Sequence, residues 1–153
     1  MKLDPTIKTK LLVKCYEYVE QRIETSRQAM RHAQDSANTE EKSSAGDKYE
    51  TGRAMAQIER DKAARQLEEA LKLKSILIQI NPDVRNDKIV QGSLVITKDN
   101  LFYLAISVGK ISIDGLNFLI IAPTSPIGQI LLHLRAGDQF TFNKQVHVIM
   151  EIC

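Results

Sequence analysis

Tryptophan is absent, cysteine occurs twice and proline four times in 153 residues. The two cysteines, Cys15 and Cys153, lie far apart and match no metal or redox spacing. That excludes a disulfide framework and reads as reduced thiols in the cytoplasm. Long apolar runs are also missing. Phe118 to Ala122, among the longest, is strand-sized, against the ~18 apolar residues of a membrane span. Met1 to Lys14 carries four lysines and no apolar run suited to a signal peptide. Neither charge sign dominates. A net charge of +2 gives the chain as a whole no strong pull toward nucleic acid, so any electrostatic function must come from local patterning. Catalytic signatures are equally scarce. His32, His133 and His147 are scattered, with no Cys or carboxylate at ligand spacing. Ser125 stands beside Pro126 rather than in a Gly-x-Ser-x-Gly elbow.

No proline falls between Pro5 and Pro82, and that interval has the helical period. Asp4 reads as an N-cap with Pro5 at the first helical position. Apolar or small residues then recur at three and four: Leu12, Cys15, Val19, Ile23, Ser26, Met30, Ala33 and Ala37. This is a coiled-coil seam, with large side chains early and small ones late. The pattern breaks over Asn38 to Ser44, which is polar throughout. A second helix is expected from about Gly46 to about Ile80, with Met55, Ile58, Ala63, Leu67, Ala70, Leu71 and Ile78 as its apolar positions. Asp61/Arg65 and Glu68/Lys72 support it at i, i+4. A short polar stretch between two long helices is the turn of a helical hairpin. Residues 1–80 thus read as an antiparallel coiled-coil arm, with its tip at about 38–52.

Asn81-Pro82-Asp83 ends the second helix, because proline disfavours helical geometry in the residue before it. Residues 81–88 read as a linker and 89–153 as a second, β-rich domain. Its expected strands are Gly92 to Thr97, Leu101 to Val108, Ile111 to Ile113, Phe118 to Ala122, Phe140 to Phe142 and Val146 to Ile152. Asp114-Gly115 is a hairpin turn signal. Ser125 caps a short helix opened by Pro126-Ile127-Gly128 and running over Gln129 to Leu134. The fold class is therefore α+β.

Asp47 and Glu50 are three apart, which puts both on one face of the second helix's first turn. Acidic residues there are also favoured by the macrodipole and by capping; Ser44 with Asp47 makes a Ser-x-x-Asp capping box. Tyr49 and Arg53 on the same turns are candidate contacts to RNA or a protein channel, or plain surface residues.

The chain resembles a known family, the bacterial Gre transcript-cleavage factors. Ser125-Pro126-Ile127-Gly128-Gln129-Ile130-Leu131-Leu132, then Ala136-Gly137-Asp138-Gln139-Phe140, is similar to the family's Ser-Pro-Leu-Gly-x-Ala-Leu-Leu and x-Gly-Asp-x-Val. Gly92-Ser93-Leu94-Val95 resembles the opening Gly-Ser-x-Val of the same domain, and Val148 to Ile152 its terminal strand. Gly46-Asp47-Lys48-Tyr49-Glu50 matches the family's acidic Gly-Asp-x-x-Glu setting. There are departures. Lys48, Thr51 and Gly52 replace the family's Leu, Asn and Ala, and Asp114 to Thr124 intervenes before Ser-Pro. With Tyr49 set under the family's tyrosine, Ala45 and Lys42 fall under the acidic pair instead.

The resemblance implies a coiled coil joined to an FKBP-like C-terminal domain, binding to RNA polymerase, and insertion of the coiled coil into the polymerase's secondary channel. It assigns Asp47 and Glu50 as tip carboxylates that help hold Mg²⁺ at the polymerase active site, near the RNA 3′ end. It places the polymerase contact near Ser125, Pro126, Ile127 and Gly128. The expectation is an elongation factor that promotes the polymerase's own cleavage of backtracked RNA and is not an enzyme alone. One alternative is a channel-occupying regulator or inhibitor without cleavage. Another is an FKBP-like prolyl isomerase or chaperone.

Overall fold

A computed structural model describes residues 3–43 and 46–153, with side chains described outside 40–49. Two long helices, α1 (Ile7–Ser43) and α2 (Gly46–Ile78), precede seven short strands and one short helix. The fold is α+β, and the two helices pack against each other. Among the described residues, no helix is long and apolar enough to cross a membrane. The chain forms two compact units: residues 17–74, and residues 1–16 together with 75–153.

In the first unit the two helices bury a narrow seam. Val19, Ile23, Ser26 and Ala33 of α1 are buried, with Met30 half-buried between them. Steps of four and three keep them on one stripe. On α2 the buried positions are Ala56, Ala63 and Ala70, one every seven residues, with Leu67 half-buried. Small side chains let two helices approach closely but bury little area each. Glu20 and Lys74 pair across the hairpin at 2.6 Å. Glu68–Lys72 at 3.6 Å is the expected i, i+4 pair, whereas Asp61 accepts a hydrogen bond from Gln57 at 3.2 Å.

Two sequence expectations are corrected in this unit. The polar stretch Asn38–Ser43 does not interrupt α1, which runs through it to Ser43. Glu, Lys and Ala are good helix formers whether or not they are apolar. Met55, Ile58 and Leu71 do not line the seam; they are exposed, as is Ile78 in the other unit. A two-helix contact buries one stripe per helix, and the alanines occupy it.

The second unit begins at the start of α1. Asp4 caps it as expected: Oδ1 accepts from Thr6 N at 2.8 Å, and the hydrogen bond from Lys10 Nζ pulls the carboxyl far below its usual range. A five-stranded sheet has the order β3-β4-β2-β1-β7, where β1 is Leu94–Ile96, β2 Leu101–Leu104, β3 Gly109–Ile113, β4 Leu116–Ile121 and β7 Glu151–Ile152. All neighbours are antiparallel except β2 and β4. The separate hairpin β5 (Gln139–Phe142) with β6 (Gln145–Val148) and helix α3 (Pro126–Leu131) complete it. Every residue of β1 and β2 is buried, as a strand covered on both faces requires. Val95, Phe102, Leu104 and Ile152 share one core with Leu131, Phe140 and Ile149. Leu94 and Tyr103, the alternate residues, are also fully buried. Tyr103 lies near enough to Cys15 of α1 that the thiol adds to the upward push that burial gives its hydroxyl.

Local chemistry explains the turns. Asp114 and Gly115 both take positive φ, 52° and 80°, the type I′ geometry that matches strand twist. Asn143 and Lys144 do the same between β5 and β6, at 53° and 64°. The strand expected over Val146–Ile152 is split. Ile149 N donates to Asp138 O, while Met150 N donates to Ile96 O. The chain thus leaves the hairpin and joins the sheet within two residues. The Leu101–Val108 strand stops at Leu104 and Gly109 begins β3 instead of a turn. Helix α3 ends at Leu131, before a positive φ of 71° at His133.

Candidate functional site

The acidic pair expected at the hairpin turn sits at the N-terminal end of α2. Asp47, Tyr49 and Glu50 all belong to the helix by backbone, and i, i+3 spacing puts Asp47 and Glu50 on one side of its first turns. The Glu50 side chain is exposed, as is that of Arg53. The side chains of Asp47 and Tyr49 lie outside the described residues, as do those of Glu40 and Glu41. For Mg²⁺, which takes oxygen ligands in octahedral geometry, the described part of the site offers the Glu50 carboxylate, free of burial. Among the described residues no group of three or more His, Cys, Asp or Glu could hold a metal.

One feature of this region was not legible as a surface. Met55 and Ile58 are 60 % and 65 % exposed and lie at i, i+3, so they share a face just beyond Glu50 and Arg53. Large exposed apolar side chains beside charged ones are the composition of a contact surface. The sequence signal was their position outside the seven-residue alanine repeat.

The Ser125–Gly128 segment is built from the backbone outward. Ser125 holds an extended conformation, its Oγ accepts from Gly128 N at 3.1 Å, and the same hydroxyl donates to Ala122 O at 2.6 Å. Pro126 at the first helical position has no N–H to leave unpaired. Ile127 and Leu131 point into the core. At Gly128 an added Cβ would lie 2.1 Å from Ala122 O and 2.9 Å from Pro123, closer than atoms can approach. Ser125 is half-buried, Ile127 and Gly128 are buried, and Pro126 is exposed, with Ile130 40 % exposed one turn on. Pro126 and Ile130 are therefore the parts of this segment that a partner could touch.

The five aromatics that an isomerase pocket would need are used elsewhere. Phe102, Tyr103, Phe118 and Phe140 are buried in the unit's interior, and Phe142 is half-buried against the core. Phe140 meets Phe102 edge-on at 6.4 Å and stacks on His147 at 5.2 Å. No protein-family model matches the chain, and no curated protein does.

Proposed function

We propose that this protein is a Gre-type transcription elongation factor of the cytoplasm. In this reading it binds RNA polymerase, its helical hairpin enters the secondary channel, and Asp47 and Glu50 promote the polymerase's own cleavage of backtracked RNA. The observation that carries the reading is the pair of long packed helices whose connection is flanked by an i, i+3 acidic pair, ahead of a separate α+β unit. The exposed Glu50 supports it, since a carboxylate that works inside a partner must not be spent on its own fold. Mg²⁺ shared between the polymerase and these carboxylates would supply charge stabilisation at the scissile phosphate. In the same reading Tyr49 and Arg53 contact the channel or the RNA 3′ end; the Arg53 side chain is exposed. Pro126 and Ile130 lie on the segment proposed to touch the polymerase surface.

A second reading keeps the binding and drops the chemistry. The exposed Met55 and Ile58 favour it, because an apolar face serves occupancy and not cleavage. The buried aromatics lend no support to a prolyl isomerase. The deciding experiment is RNA cleavage in a stalled, backtracked elongation complex, with and without the protein. Cleavage that depends on it establishes the first reading. Competition with other channel ligands, without cleavage at any Mg²⁺ concentration, establishes the second.

A further inference from the structure

Lys8, in the first turn of α1, is only 8 % exposed. Its Nζ donates to the Val84 carbonyl at 2.7 Å. Among the described residues it has no ion pair: Asp4 and Asp114 go to Lys10, and Glu151 goes to Arg85. A buried ammonium with one neutral acceptor keeps most of its desolvation cost, and it has three N–H donors to place. Burial accordingly holds the Lys8 amine below its ordinary pKa. Beside it opens a cavity of about 460 Å³, within the same compact unit. That volume is in the range of small-molecule sites.

The lining sets the class of ligand. Lys8 and Arg85 bring positive charge, and Ile7 and Ile96 bring apolar wall. Asp4, Asp83 and Glu151 also face the cavity, with Cys153, and Asp4 is held by Lys10. Glu151 already accepts from Arg85 at 3.1 Å. Among the described residues, Lys8 is the lining cation without an ion pair, with Asp83 and Cys153 acting on its charge only from farther off, so one negative charge finds a direct partner there. A second would meet the carboxylates of the lining. We propose that this cavity binds a small organic monocarboxylate, with its carboxylate on Lys8 Nζ and its short apolar tail against Ile7 and Ile96. The site uses none of the residues assigned to polymerase binding and stands whether or not that assignment does.

The test is a titration of the full ¹⁵N-labelled chain, following the amides of Val84, Arg85 and Cys153. The probes are pentanoate, pentylamine and inorganic phosphate. Pentanoate should give saturable shifts. Pentylamine should give none, and phosphate should bind at least about tenfold more weakly. Lys8→Met should weaken pentanoate binding by about tenfold or more, the scale of one charge-assisted hydrogen bond. If Lys8→Met does not fold, Lys8→Gln makes the same comparison, keeping a donor but not the charge. The proposal is overturned if saturating pentanoate leaves these amides unmoved. It is also overturned if phosphate binds as tightly, or if the uncharged variant binds pentanoate as well as the wild type.

Discussion

Gly128 sits in α3 hard against the backbone of Ala122 and Pro123. Its missing side chain is a requirement of the Ala122 carbonyl 2.1 Å from where a Cβ would sit. Gly128→Ala should cost about 3 kcal/mol or more, since backbone must move to make room. Ser125→Ala, which removes only the cap, should cost about 1 kcal/mol. Urea denaturation of both variants checks the order. On the proposed function, Asp47→Ala and Glu50→Ala should each abolish most RNA cleavage while leaving polymerase affinity nearly unchanged. Glu40→Ala and Glu41→Ala should cost little. Cleavage and binding assays on the four variants separate chemistry from occupancy. Cys15 gives a pH dependence. Burial pushes its thiol from 9.0 up to about 12, and Tyr103 is pushed up in the same sense. The folded chain keeps a proton that the unfolded chain has released. The stabilisation is thus complete below pH ~9 and declines as pH rises toward ~12. Alkaline melts of the wild type and of Cys15→Ala check this: the variant should show the shallower decline.

At the scale of elements, the α2 seam is the discriminating case. Ala63→Leu should destabilise the hairpin by about 1–3 kcal/mol through overpacking. Met55→Ala and Ile58→Ala should stay within about 0.5 kcal/mol, because their side chains lie outside the contact. Thermal melts followed by helical circular dichroism distinguish the sets. The same contrast shows what was legible. Helix existence, the α1 seam, the Asp114-Gly115 turn and the Ser125 cap each follow from local periodicity or local hydrogen bonding, and the structure has them all. On α2, Ala63 and Ala70 lie in the seam as expected, but Met55, Ile58 and Leu71 do not, because hydrophobicity alone ranks Met, Ile and Leu above Ala, whereas close helix contact favours the smaller residue. Both strands of the β5–β6 hairpin are legible, but its Asn143-Lys144 turn is not, because Lys144 adopts a positive φ that lysine seldom takes. The split at Ile149–Met150 depends on Asp138 and Ile96, both remote in sequence. The Lys8 cavity was invisible for the same reason: residues near 8, 84 and 153 meet only in the fold.

For the whole molecule, the sheet's compact unit takes in residues 1–16 as well as 75–153. A chain beginning at residue 81 lacks Leu11, Cys15 and Leu77, all fully buried. It should be markedly less stable than one in which residues 17–74 are replaced by a short Gly/Ser linker. Amide-proton dispersion and urea midpoints of the two truncations measure this. The linker version, not the simple deletion, is then the right reagent for testing whether this unit binds RNA polymerase, as proposed. The discontinuity also sets an order of events during synthesis. Chains grow at about 5–20 residues per second, so residues 17–74 can pair as soon as they emerge. Residues 1–16 leave the ribosome before 17–74, yet their partners in the sheet, residues 75–153, follow only after that segment. For several seconds Leu11 and Cys15 have nothing to pack against. In that interval the nascent chain exposes a sticky apolar segment, and a chaperone that binds short apolar helices would meet it there.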